Sequence, residues 1–305
     1  MYCYEIYGLQ VMSQWKFTPV CEIELPGIKD ITIENIKMPD WINEKKKQGY
    51  TQSSDGKTYF WFLFEGEGEF LIQDGNHISY QLFEKHMQDH VDAILLGDGF
   101  AHLFFQRGDI AIHAGGIAWD NRSVLISGVS GSGKSTISSE LIRQGGIFMA
   151  DDTVRLIMEK GEAYSCAGYP QQKLCEDAAR KQGYYPSELR MLDEERVKYA
   201  IPMRNDKFHK DPIPVGVLVI LQTGMVENLK TEQIEGSRKL EALISCLYNY
   251  KLYKKYGMSP EILRQCIQLA QEMKIIVVTR PKDRNTESEI VECIKKFMPD
   301  RGKKI

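Results

Sequence analysis

Apolar and polar positions along the chain change period several times, and each change predicts an element. Residues 2–11 and 21–24 read as strands, with breaks at Pro26-Gly27 and Pro39-Asp40. Residues 57–65 hold an unbroken apolar run, Tyr59-Phe60-Trp61-Phe62-Leu63-Phe64. No basic residue is interleaved, so it reads as a core strand and not as a platform for stacking bases. Residues 69–73 and 77–81 flank Asp74-Gly75-Asn76, a hairpin signal. Residues 83–96, continuing to 105, predict one helix. His86 and His90 stand four apart on its face; with no third ligand in the pattern they read as a surface pair, not a metal site.

From residue 110 the pattern changes. A strand is expected over 110–119, a turn at Asp120-Asn121-Arg122, and a buried strand at Val124-Leu125-Ile126. Residues 135–144 carry Ile137, Leu141 and Ile142 on one helical face, and Gly145-Gly146 stops that helix. A strand follows at 147–150. Residues 154–158 and 163–166 form a hairpin around Lys160-Gly161, and an irregular stretch begins at Tyr169-Pro170. Residues 176–182 predict a helix ended by Gly183, and 193–199 a mixed-charge strand or helix. The continuous apolar run 215–222 predicts a central parallel strand. The final third reads as helices over 236–256 and 260–273, a buried strand over 275–279, and a closing helix over 287–297 with Ile290, Val291, Ile294 and Phe297 on one face. The pattern divides the chain into a β-rich N-terminal region with one helix, 1–109, and an α/β domain, 110–305.

The chemistry concentrates between residues 123 and 152. Gly128-Val129-Ser130-Gly131-Ser132-Gly133-Lys134-Ser135 fits G-x-x-x-x-G-K-[ST], the Walker A pattern, at every fixed position, between a predicted strand and a predicted helix. The glycines let successive backbone N–H groups turn inward toward phosphate oxygens, and the helix start adds more N–H groups and partial positive charge. Lys134 would reach the outer phosphates and Ser135 would hold Mg²⁺. Gly128, Ser130, Gly131, Ser132, Gly133, Lys134, Ser135 and Thr136 are thus the expected nucleotide-binding residues. Asp151-Asp152 ends the strand after the loop's helix. Side chains alternate along a strand, so one carboxylate can face a metal while the other faces an acceptor hydroxyl. His113 is expected on a neighbouring strand, near the phosphates.

Composition narrows the classes. At 43% hydrophobic and 27% charged residues the chain is globular, and a net charge of −3 gives no basic footprint for nucleic acid. Seven dispersed cysteines show no metal-ligand spacing and suit a reducing compartment. No leader pattern and no apolar run long enough for a bilayer is present, so a cytoplasmic protein without a membrane partner is expected.

The order H-A, strand, G-x-S-G-x-G-K-S-T, G-x-x-x-x-A-D-D resembles the HPr kinase/phosphorylase family. It is closer to the HPr-kinase-like proteins of peptide-tailoring clusters, including lasso-peptide precursor kinases. Tyr4-Glu5-Ile6-Tyr7-Gly8-Leu9, Leu95-Leu96-Gly97, Gln106-Arg107-Gly108 and Gly168-Tyr169-Pro170-Gln171-Gln172-Lys173-Leu174 carry the same likeness, which runs to about residue 222. It implies a phosphoenolpyruvate-carboxykinase-type P-loop nucleotide domain that uses ATP and Mg²⁺ and phosphorylates a serine hydroxyl. The acceptor it suggests is a peptide or small protein, such as a lasso-peptide precursor at its C-terminal serine. In that family's pattern Asp151 is the base, Asp152 joins Ser135 at the metal, Lys134 neutralises the transferring group and His113 orients the acceptor or the γ-phosphate; the residue pattern alone also allows the two aspartates to exchange roles. Lys173 stands where similar proteins carry a basic residue, and Arg204 is a candidate for the charge-neutralising arginine. Self-association stays open. The Gly-rich E-I-R-G-x-G stretch of true HPr kinase/phosphorylases is absent; residues 173–214 are instead rich in Lys, Arg, Glu and Tyr. HPr itself and free serine remain alternative acceptors, and a nucleotide-dependent switch or scaffold without transfer is the alternative of another class. Arg238 and Arg280 stand at predicted element ends, unranked against ordinary surface arginines.

Overall fold

A computed structural model describes residues 1–24, 27–181, 183–193, 198–203 and 207–298. The chain is of mixed α/β type and forms two compact units, Met1–Asp109 with Leu252–Gly257, and Ile110–Lys251 with Met258–Ile305.

The first unit holds strands β1 (Tyr2–Ile6), β2 (Leu9–Ser13), β3 (Ile31–Asn35), β4 (Gln52–Ser54), β5 (Tyr59–Phe64), β6 (Gly68–Gln73) and β7 (His77–Leu82), with helices α1 (Asp40–Lys47), α2 (Gln88–Ile94) and α3 (Phe100–Arg107). The strands form one sheet in the order β1-β2-β3-β7-β6-β5-β4. The expected strand over 2–11 is a hairpin, folded at Tyr7-Gly8, where both residues take positive φ. Residues 21–24 contribute only an isolated bridge, Glu22 to Tyr4. The aromatic strand β5 is core, with Phe60 and Trp61 fully buried, and the hairpin at Asp74-Gly75 joins β6 to β7. The expected single helix is three pieces: α2, a π-helical turn at Leu95–Gly99, and α3. His86 precedes α2 and His90 pairs with Glu67, so the two do not share a helix face.

The second unit is built on nine strands, β8 (Ile110–Ile112), β9 (Ala114–Trp119), β10 (Arg122–Gly128), β11 (Ile147–Ala150), β12 (Val154–Glu159), β13 (Glu162–Cys166), β17 (Ile213–Gly224), β18 (Lys230–Ile234) and β19 (Ile275–Pro281). A smaller sheet holds β14 (Gln171–Cys175), β15 (Arg190–Asp193) and β16 (Lys198–Pro202), in the order β14-β16-β15. The helices are α4 (Lys134–Arg143), α5 (Glu176–Lys181), α6 (Arg238–Ser245), α8 (Pro260–Glu272) and α9 (Glu287–Phe297); α7 (Tyr250–Tyr256) falls, from Leu252 on, in the first unit. The large sheet runs β11-β9-β10-β17-β13-β12-β8, with β19 on β17 and β18 on β19. β10, β17 and β19 are mutually parallel, in a register that sets Gly128 beside Leu221 and Leu221 beside Val278.

Val124 and Ile126 of β10, Val217 and Val219 of β17, and Ile276 and Val278 of β19 pack under Ile137 and Leu141 of α4 and Ile290, Val291 and Ile294 of α9. Each such side chain taken from water contributes about 1.5–3 kcal/mol. Leu125 and Leu218, on the opposite side of the alternation, are equally buried, which is why these strands read as continuous apolar runs.

Two expected elements are broken. The strand over 110–119 divides at His113 into β8, which pairs with β12, and β9, which pairs with β10 and β11. The helix over 236–256 divides into α6 and α7, because the intervening segment pairs with β8: Tyr248 N–H donates to the Ala111 carbonyl and His113 N–H to the Cys246 carbonyl. α8 starts where Pro260 fixes the first turn and Ser259 Oγ accepts the Ile262 N–H. Ser259→Ala is expected to cost about 1 kcal/mol, read as a lower urea midpoint at unchanged slope.

Candidate functional site

Three parallel strands that end side by side place their following loops together, and the loop after β10 is residues 128–135. Gly128 (φ 149°) and Gly133 (φ 104°) hold backbone angles that L-residues avoid. At Gly128 a β-carbon would also lie 2.4 Å from the Leu221 carbonyl oxygen of β17, so side-chain-free backbone is required there. α4 begins at Lys134 with no side-chain cap. Its end therefore presents the Ser135 and Thr136 N–H groups and a partial positive charge. Lys134 is folded back, its Nζ donating to the Gly128 carbonyl at 2.7 Å.

The loop opens on a cavity of about 980 Å³. Ser130, Gly131, Gly133, Lys134, Ser135 and Thr136 of the loop and α4 line it, together with His113, Asp152, Cys175 at the end of β14 and Ala178 of α5. Two observations fit the loop to a polyanion. Ser132 Oγ is buried without a hydrogen-bond partner among the described residues, and the side of Gly131 where a β-carbon would stand is open space.

His113 is held from three directions. Its N–H donates to Cys246, its carbonyl accepts from Ser127 Oγ at 2.7 Å, and its Nδ1 lies 3.0 Å from the Asp152 carbonyl oxygen. A carbonyl only accepts, so Nδ1 carries the proton. The break between β8 and β9 thus puts the imidazole on the cavity wall beside the acidic pair. β11 ends at Ala150, so Asp151 and Asp152 lie in the bend that follows it and not in the strand itself, and their carboxylates make different contacts. Asp152 lines the cavity with Ser135 and Lys134. Asp151 Oδ2 instead accepts the Lys173 backbone N–H of β14 at 2.9 Å. Lys173 Nζ lies 3.5 Å from Asp152 Oδ2, so β14 is tied to both carboxylates. Its ammonium is held well above the usual lysine range. The electrostatic pull of Tyr169 is the largest cause, and that of Asp152 and Asp151 adds to it against the opposing effect of burial.

Lys173 is therefore placed against the acidic pair, while Gly128 and Ser132 support the loop from behind the cavity wall. Arg204 lies outside the described residues. Arg238 pairs with Glu232 at 2.7 Å on the surface. Cys175, Ala178 and Tyr248, whose ring stacks 6.3 Å from that of His113, were not singled out from the sequence. They reach the site through β14 pairing and through the break after α6, neither of which leaves a local signal.

No protein-family model and no curated protein matches the chain. Among solved structures the chain is similar to the Hpr(Ser) kinase/phosphatase from Coxiella burnetii, at 15% identity and a TM-score of 0.31, over 61% of this chain and 88% of that one. So loose a superposition carries no weight for function. No helix among the described residues is long and apolar enough to cross a membrane.

Proposed function

We propose that the chain transfers the terminal phosphoryl group of ATP to a serine hydroxyl of a peptide or small protein, on a nucleotide domain of the phosphoenolpyruvate-carboxykinase type. The observation that carries this is one cavity walled by the phosphate loop, Lys134, Ser135, His113 and Asp152. Backbone N–H groups of the loop and the start of α4 bind the phosphates. Lys134 exchanges the Gly128 carbonyl for the outer phosphates. Ser135 and Asp152 are the residues that would hold Mg²⁺, which, when bound, draws charge from the bridging and terminal phosphate oxygens. Asp151, oriented by the Lys173 N–H, keeps lone pairs to accept the acceptor hydroxyl's proton as its oxygen bonds to phosphorus and the bond to the departing ADP breaks. His113 orients the incoming group. The acceptor lies in the same cavity, beside Cys175 of β14 and Ala178 of α5. A lasso-peptide precursor ending in serine is the acceptor that the sequence resemblance favours.

Incubation with Mg-ATP and, separately, a serine-ended precursor peptide, HPr and free serine, followed by mass spectrometry, tests the reading. One added phosphoryl group on the peptide is the expected outcome. Modification of HPr or serine alone would replace the acceptor, and nucleotide binding without transfer to any hydroxyl would favour a nucleotide-dependent switch.

A further inference from the structure

Arg280 closes β19 at the ends of the three parallel strands. Val278 is level with Leu221 and, through it, with Gly128, so Arg280 stands two residues beyond, at the level of the phosphate loop. Its guanidinium reaches that loop: a β-carbon built on Gly133 would lie 2.7 Å from Arg280 Nη1. Arg122, Arg143, Arg180, Arg238, Arg264 and Arg284 each pair with a glutamate. Arg280 has no carboxylate or carbonyl partner among the described residues, and its Nε is buried with none. A half-buried permanent cation with its Nε donor buried and unmet is costly unless an anion joins it.

We propose that Arg280 is a further polyphosphate-binding residue, its guanidinium fork contacting the nucleotide's phosphate chain from the Gly133 side of the loop. This rests on the nucleotide reading above. A base stacked on the guanidinium face would leave the fork's donors unmet, whereas a phosphate in its plane accepts from them, in the bidentate geometry that arginine favours. Gly133 is then needed twice, for its backbone angle and because any side chain there would displace the arginine.

Calorimetric titration of the full chain and of R280Q and R280K with Mg-ATP and with inorganic tripolyphosphate, at one salt concentration, tests this. R280Q is expected to weaken both ligands alike, by about ten- to a hundredfold, and R280K to recover part of the loss. Equal affinity in R280Q and the parent would overturn the inference and leave the nucleotide reading standing. So would a loss confined to ATP, which would make Arg280 a contact to the base. If R280Q does not fold, R280K decides: a several-fold loss for both ligands supports the inference and none overturns it. A parent chain that binds neither ligand would sink the nucleotide reading and this inference together.

Discussion

An Asp151→Asn chain is expected to hold nucleotide as tightly as the parent and to transfer phosphate about a hundred to ten thousand times more slowly. Asparagine keeps the shape of the side chain and an oxygen for the Lys173 N–H that Asp151 Oδ2 now accepts. It removes the group that takes a proton. Asp151 is not among the residues that line the cavity, so nucleotide affinity is spared. Asp152→Asn acts differently, because Asp152 lines the cavity with Ser135 and Lys134. It is expected to raise the Mg²⁺ concentration needed for half-maximal transfer. Single-turnover transfer, calorimetric ATP binding and a Mg²⁺ titration on both variants separate the roles. If Asp152→Asn lost turnover at an unchanged Mg²⁺ requirement while Asp151→Asn stayed active, the two aspartates would exchange assignments. Full activity in both would remove the acidic pair from the chemistry.

The parts of this site legible in the sequence are those fixed by local rules. The loop's glycines and Lys134-Ser135 are dictated by backbone angle and charge within eight positions, so motif and context coincide. The apolar run in β17 announced a strand buried on both faces, and β10 and β19 flank it in parallel. What stayed hidden depends on pairing between distant segments. The largely apolar run from 110 to 119 looks like one strand, because a single histidine within it is no break signal; the break exists since β8 and β9 find different partners. The helical pattern over 236–256 is likewise interrupted by a backbone bond from Tyr248 to Ala111. β18 is almost wholly exposed, so it carries no apolar signature, and α1 buries only Ile42 fully. Arg280 was indistinguishable from Arg238 in sequence. Only the register of β19 puts one against the phosphate loop and leaves the other on the surface beside Glu232.

The break at His113 has a chemical result. Were 110–119 one continuous strand, the imidazole would lie within a single ladder, its carbonyl and N–H bonded to one neighbouring strand. Divided, it takes a carbonyl bond from β10 and an N–H bond to the segment after α6, and turns its ring to the Asp152 carbonyl. Irregular backbone thus couples three segments at the cavity, and the nine-stranded sheet supplies the rigidity that keeps them aligned.

In the first unit, stability is expected to fall by about 2 kcal/mol between pH 7 and pH 5 through a single residue, His102. Its ring is buried against Phe60 and Phe62, with centroids 4.6 and 4.5 Å away. Nδ1 lies 2.7 Å from the Asp98 carbonyl in the π-helical turn. Burial pushes its pKa from 6.5 down to about 4, outweighing the upward pull of that carbonyl. The folded unit thus binds the proton less readily than the unfolded chain. The stabilisation is complete above pH 6.5, is lost as the pH falls toward 4, and does not change further below that. The full drop, at about 1.4 kcal/mol for each pH unit, amounts to about 3 kcal/mol. Urea unfolding followed by tryptophan fluorescence reads it, since Trp15, Trp41 and Trp61 lie in this unit. His102→Asn keeps a donor for the Asp98 carbonyl and cannot titrate, so its urea midpoint is expected to change far less between pH 7 and pH 5. A variant that followed the parent through that interval would show that other groups, not the buried imidazole, set the acid sensitivity.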